Sequence, residues 1–132
     1  MLYIKFYRER MLFMLSPCPD SPNCVSTMSS PEDKRHYMEP IHYSGSPETA
    51  KSTIRNIIRQ QTHAEIVHED DNYISTVFTT PVLKFKDDVV FYFGDQGHVH
   101  FRSASRIGKG DMGKNKNRMK EITARFYDQN NE

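Results

Sequence analysis

Between residues 64 and 105 the chain is cut into short stretches of strand composition by residues that turn a backbone, and this pattern leaves few folds open. The stretches are 64–69, 73–80, 82–86, 89–93 and 98–105, rich in Val, Ile, Phe, Tyr and Thr. Glu69-Asp70-Asp71-Asn72 separates the first two, Pro81 interrupts the next, Asp87-Asp88 divides two apolar runs, and Gly94-Asp95-Gln96-Gly97 closes a hairpin. Connections this short cannot carry a crossover, so neighbouring strands are expected to run antiparallel.

Helical patterning flanks this region on both sides. Ser46-Pro47-Glu48 combines an N-cap hydroxyl, a proline with preset φ and a carboxylate in the first turn, and predicts a helix from there to about Gln61. Ala50, Ile54, Ile57 and Ile58 form its apolar stripe, with Lys51, Arg55 and Arg59 expected on the opposite side. A final helix is expected from about Met112 to Tyr127, capped by Asp111, with Met119, Ile122 and Phe126 facing inward. Ile41-His42-Tyr43 suggests a short first strand, and the nearby Pro40 confines it to an edge. A half-buried sheet must cover its apolar side. The expected fold is therefore α+β: an antiparallel sheet of about five or six strands, in the order β-α-β-β-β-β-α, with two helices on one face and the reverse face open.

A chain of 132 residues suits one core. Residues 1–35 read as an N-terminal extension and a Cys/Pro-rich arm, 36–128 as the single domain, and 129–132 as a frayed tail. The arm has a period of neither 2 nor 3.6. Lys5, Arg8 and Arg10 before Met11-Leu12-Phe13-Met14-Leu15 imitate a secretory signal, but the apolar stretch is too short for one, and Met11 and Met14 leave a later start open. No apolar run approaches the length of a membrane span, so a soluble chain is expected. The cytoplasm stands slightly ahead of the periplasm or cell envelope. Eighteen Lys and Arg against seventeen Asp and Glu give a net charge of +1, which argues against nucleic-acid binding through bulk positive charge and leaves only a local basic patch open to it.

The candidate chemistry concentrates between Arg102 and Arg118. If Val99 and Phe101 point to the core, His98, His100, Arg102 and Arg106 point away, joined by Lys84 and Lys86 if Leu83 and Phe85 face inward. Ser103, Ser105, Gly108 and Gly110 then lead into Asp111 and a helix start, a place that favours negative charge. The candidate ligand-binding residues are Arg102, Ser103, Ser105, Arg106, Asn115 and Arg118. The competing account is a polar staple, in which Asp111 caps the helix, Asn115 bonds a strand end and an arginine pairs with a carboxylate; it stands ahead of a pocket because polar clusters at helix starts are so often caps. Cys18 and Cys24 read equally as a disulfide or as two reduced thiols, and a metal site completed by His36 and His42 ranks well below both. His98 and His100 read as exposed histidines, and the Asp70-Asp71-Asn72 and Asp87-Asp88 groups as turns. No Gly-x-Ser-x-Gly elbow or His-Glu-x-x-His pair is present, so no catalytic residue, metal or cofactor is assigned.

Cys18-Pro19-Asp20-Ser21-Pro22-Asn23-Cys24-Val25 and Arg102-Ser103-Ala104-Ser105-Arg106-Ile107-Gly108, together with the region from His36 to Gly45, Asp71-Asn72-Tyr73-Ile74, Asp87-Asp88-Val89 and Asp111-Met112-Gly113-Lys114-Asn115, carry a resemblance. The chain resembles domain-of-unknown-function family 1499, small proteins of bacteria and plastids, from Pro17 onward. His100 and Lys109-Gly110 depart from that family's usual pattern. The resemblance implies no activity, substrate or cofactor. The expected role is a non-enzymatic accessory or ligand-binding domain for an anionic small molecule or a protein partner; a small hydrolase or isomerase acting on an anionic substrate, and a purely structural or assembly role, are the alternatives.

Overall fold

A computed structural model of the chain describes residues 14–107 and 113–130. Six strands, β1 Cys24–Ser26, β2 Ile41–His42, β3 Ala64–Glu69, β4 Tyr73–Thr79, β5 Lys86–Asp95 and β6 His98–Ser105, form one sheet with helices α1 Pro47–Arg59 and α2 Lys114–Asn130. The path is β1-β6-β5-β4-β3, every strand pairing is antiparallel, and β2 shares the outer edge of β6 with β1. The α+β architecture expected from the hairpin pattern is the one present.

Period-two alternation sets the two faces of this sheet. Ile74, Thr76 and Phe78 of β4 stand opposite Phe91, Val89 and Asp87 of β5, which stand opposite Phe101, Ser103 and Ser105 of β6. The apolar members join Ile54, Ile57 and Ile58 of α1 and Met119, Ile122 and Phe126 of α2 in a single core, so both helices cover the same face. Ser46 caps α1 by accepting from the Thr49 N–H at 3.2 Å, as the Ser-Pro-Glu start predicts.

Four expectations are corrected. Residues 82–85 form no strand: they turn β4 into β5 with Val82, Leu83 and Phe85 exposed, so Leu83 and Phe85 do not face the core. Asp87-Asp88 makes no turn and lies inside the ten-residue β5, because Asp87 finds cationic partners on α2 that let a carboxylate occupy an inward position. Lys51 lies on the buried side of α1, where its ammonium donates to the carbonyls of Asp70 and Asp71 in the β3–β4 turn. The arm supplies β1, whose Val25 enters the core, and three residues are too few to display a period.

The reverse face is free of helices but not bare. Leu15 packs on Tyr73 and Val90, with Met14 and Tyr92 beside it, and Ser26 donates its hydroxyl to the Ser16 carbonyl at 3.0 Å. The arm thus crosses this face before it joins the sheet as β1. Helix α2 runs on past Tyr127 to Asn130; its expected start at Met112, the Asp111 cap, and Gly108 and Gly110 lie outside the described residues.

Candidate functional site

On the helix-covered face a polar network ties α2 to the sheet. Asn115 precedes Met119 by one turn in the inward stripe of α2 and is carried against β6. Its Oδ1 accepts from the Ser103 hydroxyl at 2.6 Å, while its Nδ2 donates to the Asn23 carbonyl at 3.0 Å and to Ser105 Oγ at 3.1 Å. Arg118, one turn on, donates to Asn115 Oδ1 at 2.8 Å, to Ser103 Oγ at 3.2 Å and to Asp87 Oδ2 at 2.7 Å, with its guanidinium 4.6 Å from the centre of the Phe78 ring. Lys114 Nζ adds a second cation 3.2 Å from Asp87 Oδ2. Asp87 is fully buried, and its Oδ1 has no partner among the described residues. A cleft of about 470 Å³ opens beside Arg118, bordered by His63, Phe78, Thr79 and Lys114.

The reverse face holds a different arrangement. Arg106 grips Asp88 with two bonds, Nε to Oδ2 at 3.0 Å and Nη2 to Oδ1 at 2.9 Å. With both Asp88 oxygens engaged, Arg102 lies half-buried beside them, and its Nε is buried without an acceptor among the described residues. Burial lowers the Arg102 pKa from the ordinary arginine value, and the nearby Asp88 charge opposes that shift. Arg102, Asp88, Ala104 and Ser105 form the floor of a pocket of about 270 Å³, and Met14, Pro19, Asn23 and Cys24 of the arm form its wall. Cys18 and Cys24 are joined by a disulfide that fixes this wall. The buried His36 braces the same loop, with Nε2 2.6 Å from the Ser21 carbonyl and Nδ1 2.7 Å from Asp33.

The six residues singled out from the sequence therefore fall into two groups. Ser103, Asn115 and Arg118 meet on the helix side, Arg102 and Arg106 on the reverse side, and Ser105 both bonds Asn115 and borders the Arg102 pocket. Adjacent residues of a strand point to opposite faces, which is why Arg102 and Ser103 cannot share a site. Sequence reasoning missed Asp87, Asp88 and Lys114. The signal for Asp87 was its parity with Val89, Phe91 and Phe93, and for Asn115 its place one turn ahead of Met119. His98 and His100 share the reverse face with Asp95, whose Oδ2 is 2.9 Å from His100 Nε2. No group of three or more His, Cys, Asp or Glu able to hold a metal occurs among the described residues, and no described helix is long and apolar enough to cross a membrane.

A family model described as "Protein of unknown function (DUF1499)" matches residues 14–126. The chain belongs to this family. The span matched by the DUF1499 model opens at Met14, which packs beside Leu15 on the reverse face, and closes at Phe126, a core residue of α2. Both polar groups lie inside it. Neither curated proteins nor solved structures match this DUF1499 chain.

Three aspartates couple the turns of this DUF1499 domain to pH. The His36 side chain lowers the Asp33 pKa and the His100 side chain that of Asp95; at Asp70 burial raises the pKa, but bonds from His68 and from the Asn72 and Tyr73 N–H groups outweigh it. A depressed carboxyl contributes stability that is complete above its unfolded-state value and is lost as pH falls through the folded-state value. Unfolding followed by circular dichroism is expected to show stability declining below about pH 4. Asp70→Asn should flatten part of that decline, and an unaltered acid profile would remove Asp70 from the account.

Proposed function

We propose that this chain is a non-enzymatic ligand-binding or accessory domain that holds a small anion of the carboxylate or phosphate class on Arg102, in the reverse-face pocket. The observation that carries this reading is the half-buried guanidinium of Arg102, whose Nε lacks an acceptor among the described residues while each oxygen of the neighbouring Asp88 accepts a bond from Arg106. Leaving a charged group partly desolvated and unpaired costs free energy that a bound anion would recover. A guanidinium also presents two parallel N–H bonds that fit a carboxylate or phosphate edge. Arg102 and Arg106 against Asp88 leave one positive charge in excess at the pocket.

Ser103, Asn115 and Arg118 act as support in this proposal, since their polar atoms are spent on one another and on Asp87. The disulfide in the pocket wall favours an oxidising compartment, the periplasm or cell envelope of the two left open by the sequence.

Calorimetric titration of the full chain with inorganic phosphate and with acetate tests the reading. Arg102→Ala is expected to weaken the preferred anion at least about tenfold, and Arg102→Lys, which keeps the charge but not the fork, to weaken it less. Urea unfolding midpoints of both variants should stay close to wild type. Equal binding by Arg102→Ala, or no binding by wild type, would overturn the assignment.

A further inference from the structure

The β4–β5 turn is the feature of the surface that the pocket does not account for. We propose that it is a membrane-docking tip, which seats Val82, Leu83 and Phe85 at the acyl boundary of an anionic bilayer while Lys84 and Lys86 meet the headgroups.

Val82 is 86% exposed, Leu83 68% and Phe85 40%, in a connection where turn chemistry would ordinarily place Asn, Asp or Gly. The Asp87–Ser105 register and the bond from the Arg106 N–H to the Lys86 carbonyl bring Ile107, 64% exposed, to the same end of the sheet. Four large apolar side chains thus stand in water together, beyond the scatter of single exposed residues on ordinary surfaces.

The turn is a built structure. Thr80 N–H donates to the Phe85 carbonyl at 2.8 Å, Phe85 N–H to the Thr80 hydroxyl at 2.8 Å, and Lys84 N–H to the Thr80 carbonyl at 3.2 Å. Lys84 takes φ +59, a left-handed conformation that a non-glycine residue adopts only when its surroundings hold it there. These bonds fix the base of the turn, below Val82 and Leu83.

Charge selects the occupant. No acidic residue occurs between Asp71 and Asp87, and of the carboxylates at this end of the described sheet and on the facing helix Asp87 is paired with Arg118 and Lys114, Asp88 with Arg106 and Glu121 with Arg125, which leaves the exposed Glu65 on β3, two strands away from the turn's exit. Among the described residues, the turn itself carries two lysines that form no ion pair, Lys84 and Lys86, the latter with its Nζ 3.5 Å from Thr79 Oγ1. A second copy of the chain would bring like charges together. A protein partner would need a preformed acidic groove to receive the turn, whereas a bilayer yields to a small knob and lets lysine stems lie along its apolar part with their ammonium groups at the phosphates.

The chain contains no tryptophan, so Leu83→Trp reports on the tip alone. Mixed with vesicles of phosphatidylcholine and phosphatidylglycerol in equal parts, that variant is expected to shift its emission to the blue, with a much smaller shift on phosphatidylcholine alone. Wild-type protein should sediment with the anionic vesicles. Val82→Asp/Leu83→Asp should reduce that fraction about tenfold or more, with an unchanged thermal midpoint because both positions are exposed. Lys84→Glu/Lys86→Glu should abolish the preference for anionic lipid. Wild type left in the supernatant, undiminished sedimentation of the Asp variant, or an unshifted indole emission from the Leu83→Trp variant would each overturn the proposal. Arg102→Ala should sediment as wild type does, which keeps the tip separate from the anion pocket.

Discussion

Asp87→Ala is expected to destabilise the chain by about 3–5 kcal/mol, the cost of removing one partner from a buried ion pair. The carboxylate is fully buried against an Arg118 side chain that is only 13% exposed, with Lys114 as a second cation. Without Asp87, two positive charges face the end of the sheet with only Asn115 and Ser103 as acceptors among the described residues. The loss should appear as a lower urea midpoint with little change in slope, since the folded core itself is untouched. Arg118→Met in the same background should recover part of it, because the stranded guanidinium is then replaced by an apolar side chain of similar reach. The single and double variants should therefore combine less than additively. A loss below about 1 kcal/mol would place the pair among solvated surface bridges and remove the network from the account of what fastens α2 to the sheet.

That network shows where the sequence was legible and where it was not. β3 and β6, together with the α2 stripe of Met119, Ile122 and Phe126, stand where periodicity put them, since each is long enough for its pattern to repeat. The failures share one physical cause. A residue type was read by its commonest setting, whereas its actual setting depends on a partner distant in sequence. Asp87 resembles a turn residue until Arg118 and Lys114 are brought to it, and Val82, Leu83 and Phe85 resemble a strand although no neighbouring chain pairs with them. Lys51 looks solvent-bound until the β3–β4 turn offers it carbonyls. Val25 has no local signal at all, because β1 is three residues long and its partner β6 lies some eighty residues on. The candidate site suffered in the same way. Arg102 and Ser103 look like one group because they are neighbours in sequence, and the two faces of the sheet part them.

Breaking the Cys18–Cys24 bridge is the second change with a large expected effect. The bridge closes a loop of sequence separation 6, and on the chain-entropy model a ring of that size restricts the unfolded ensemble by about 2 kcal/mol. Cys18→Ser/Cys24→Ser should lower stability by that amount under oxidising conditions, and reductant should do the same to wild type while leaving the variant unaffected. The consequence reaches further than the midpoint. The loop carries Asn23, whose carbonyl receives the Asn115 amide on the helix side, and Pro19 and Cys24, which wall the Arg102 pocket on the other. Cys18 also donates its N–H to Ser29 Oγ, so the bridge fixes the arm next to the segment that lays Leu15 on Tyr73 and Val90. Reduction is therefore expected to speed hydrogen exchange across residues 14–27 before it does so in β4 or β5, and to weaken phosphate or acetate binding without touching the Arg118–Asp87 pair. Exchange that accelerates uniformly over the whole sheet would mean that the bridge serves global stability alone, and that the pocket wall does not depend on it.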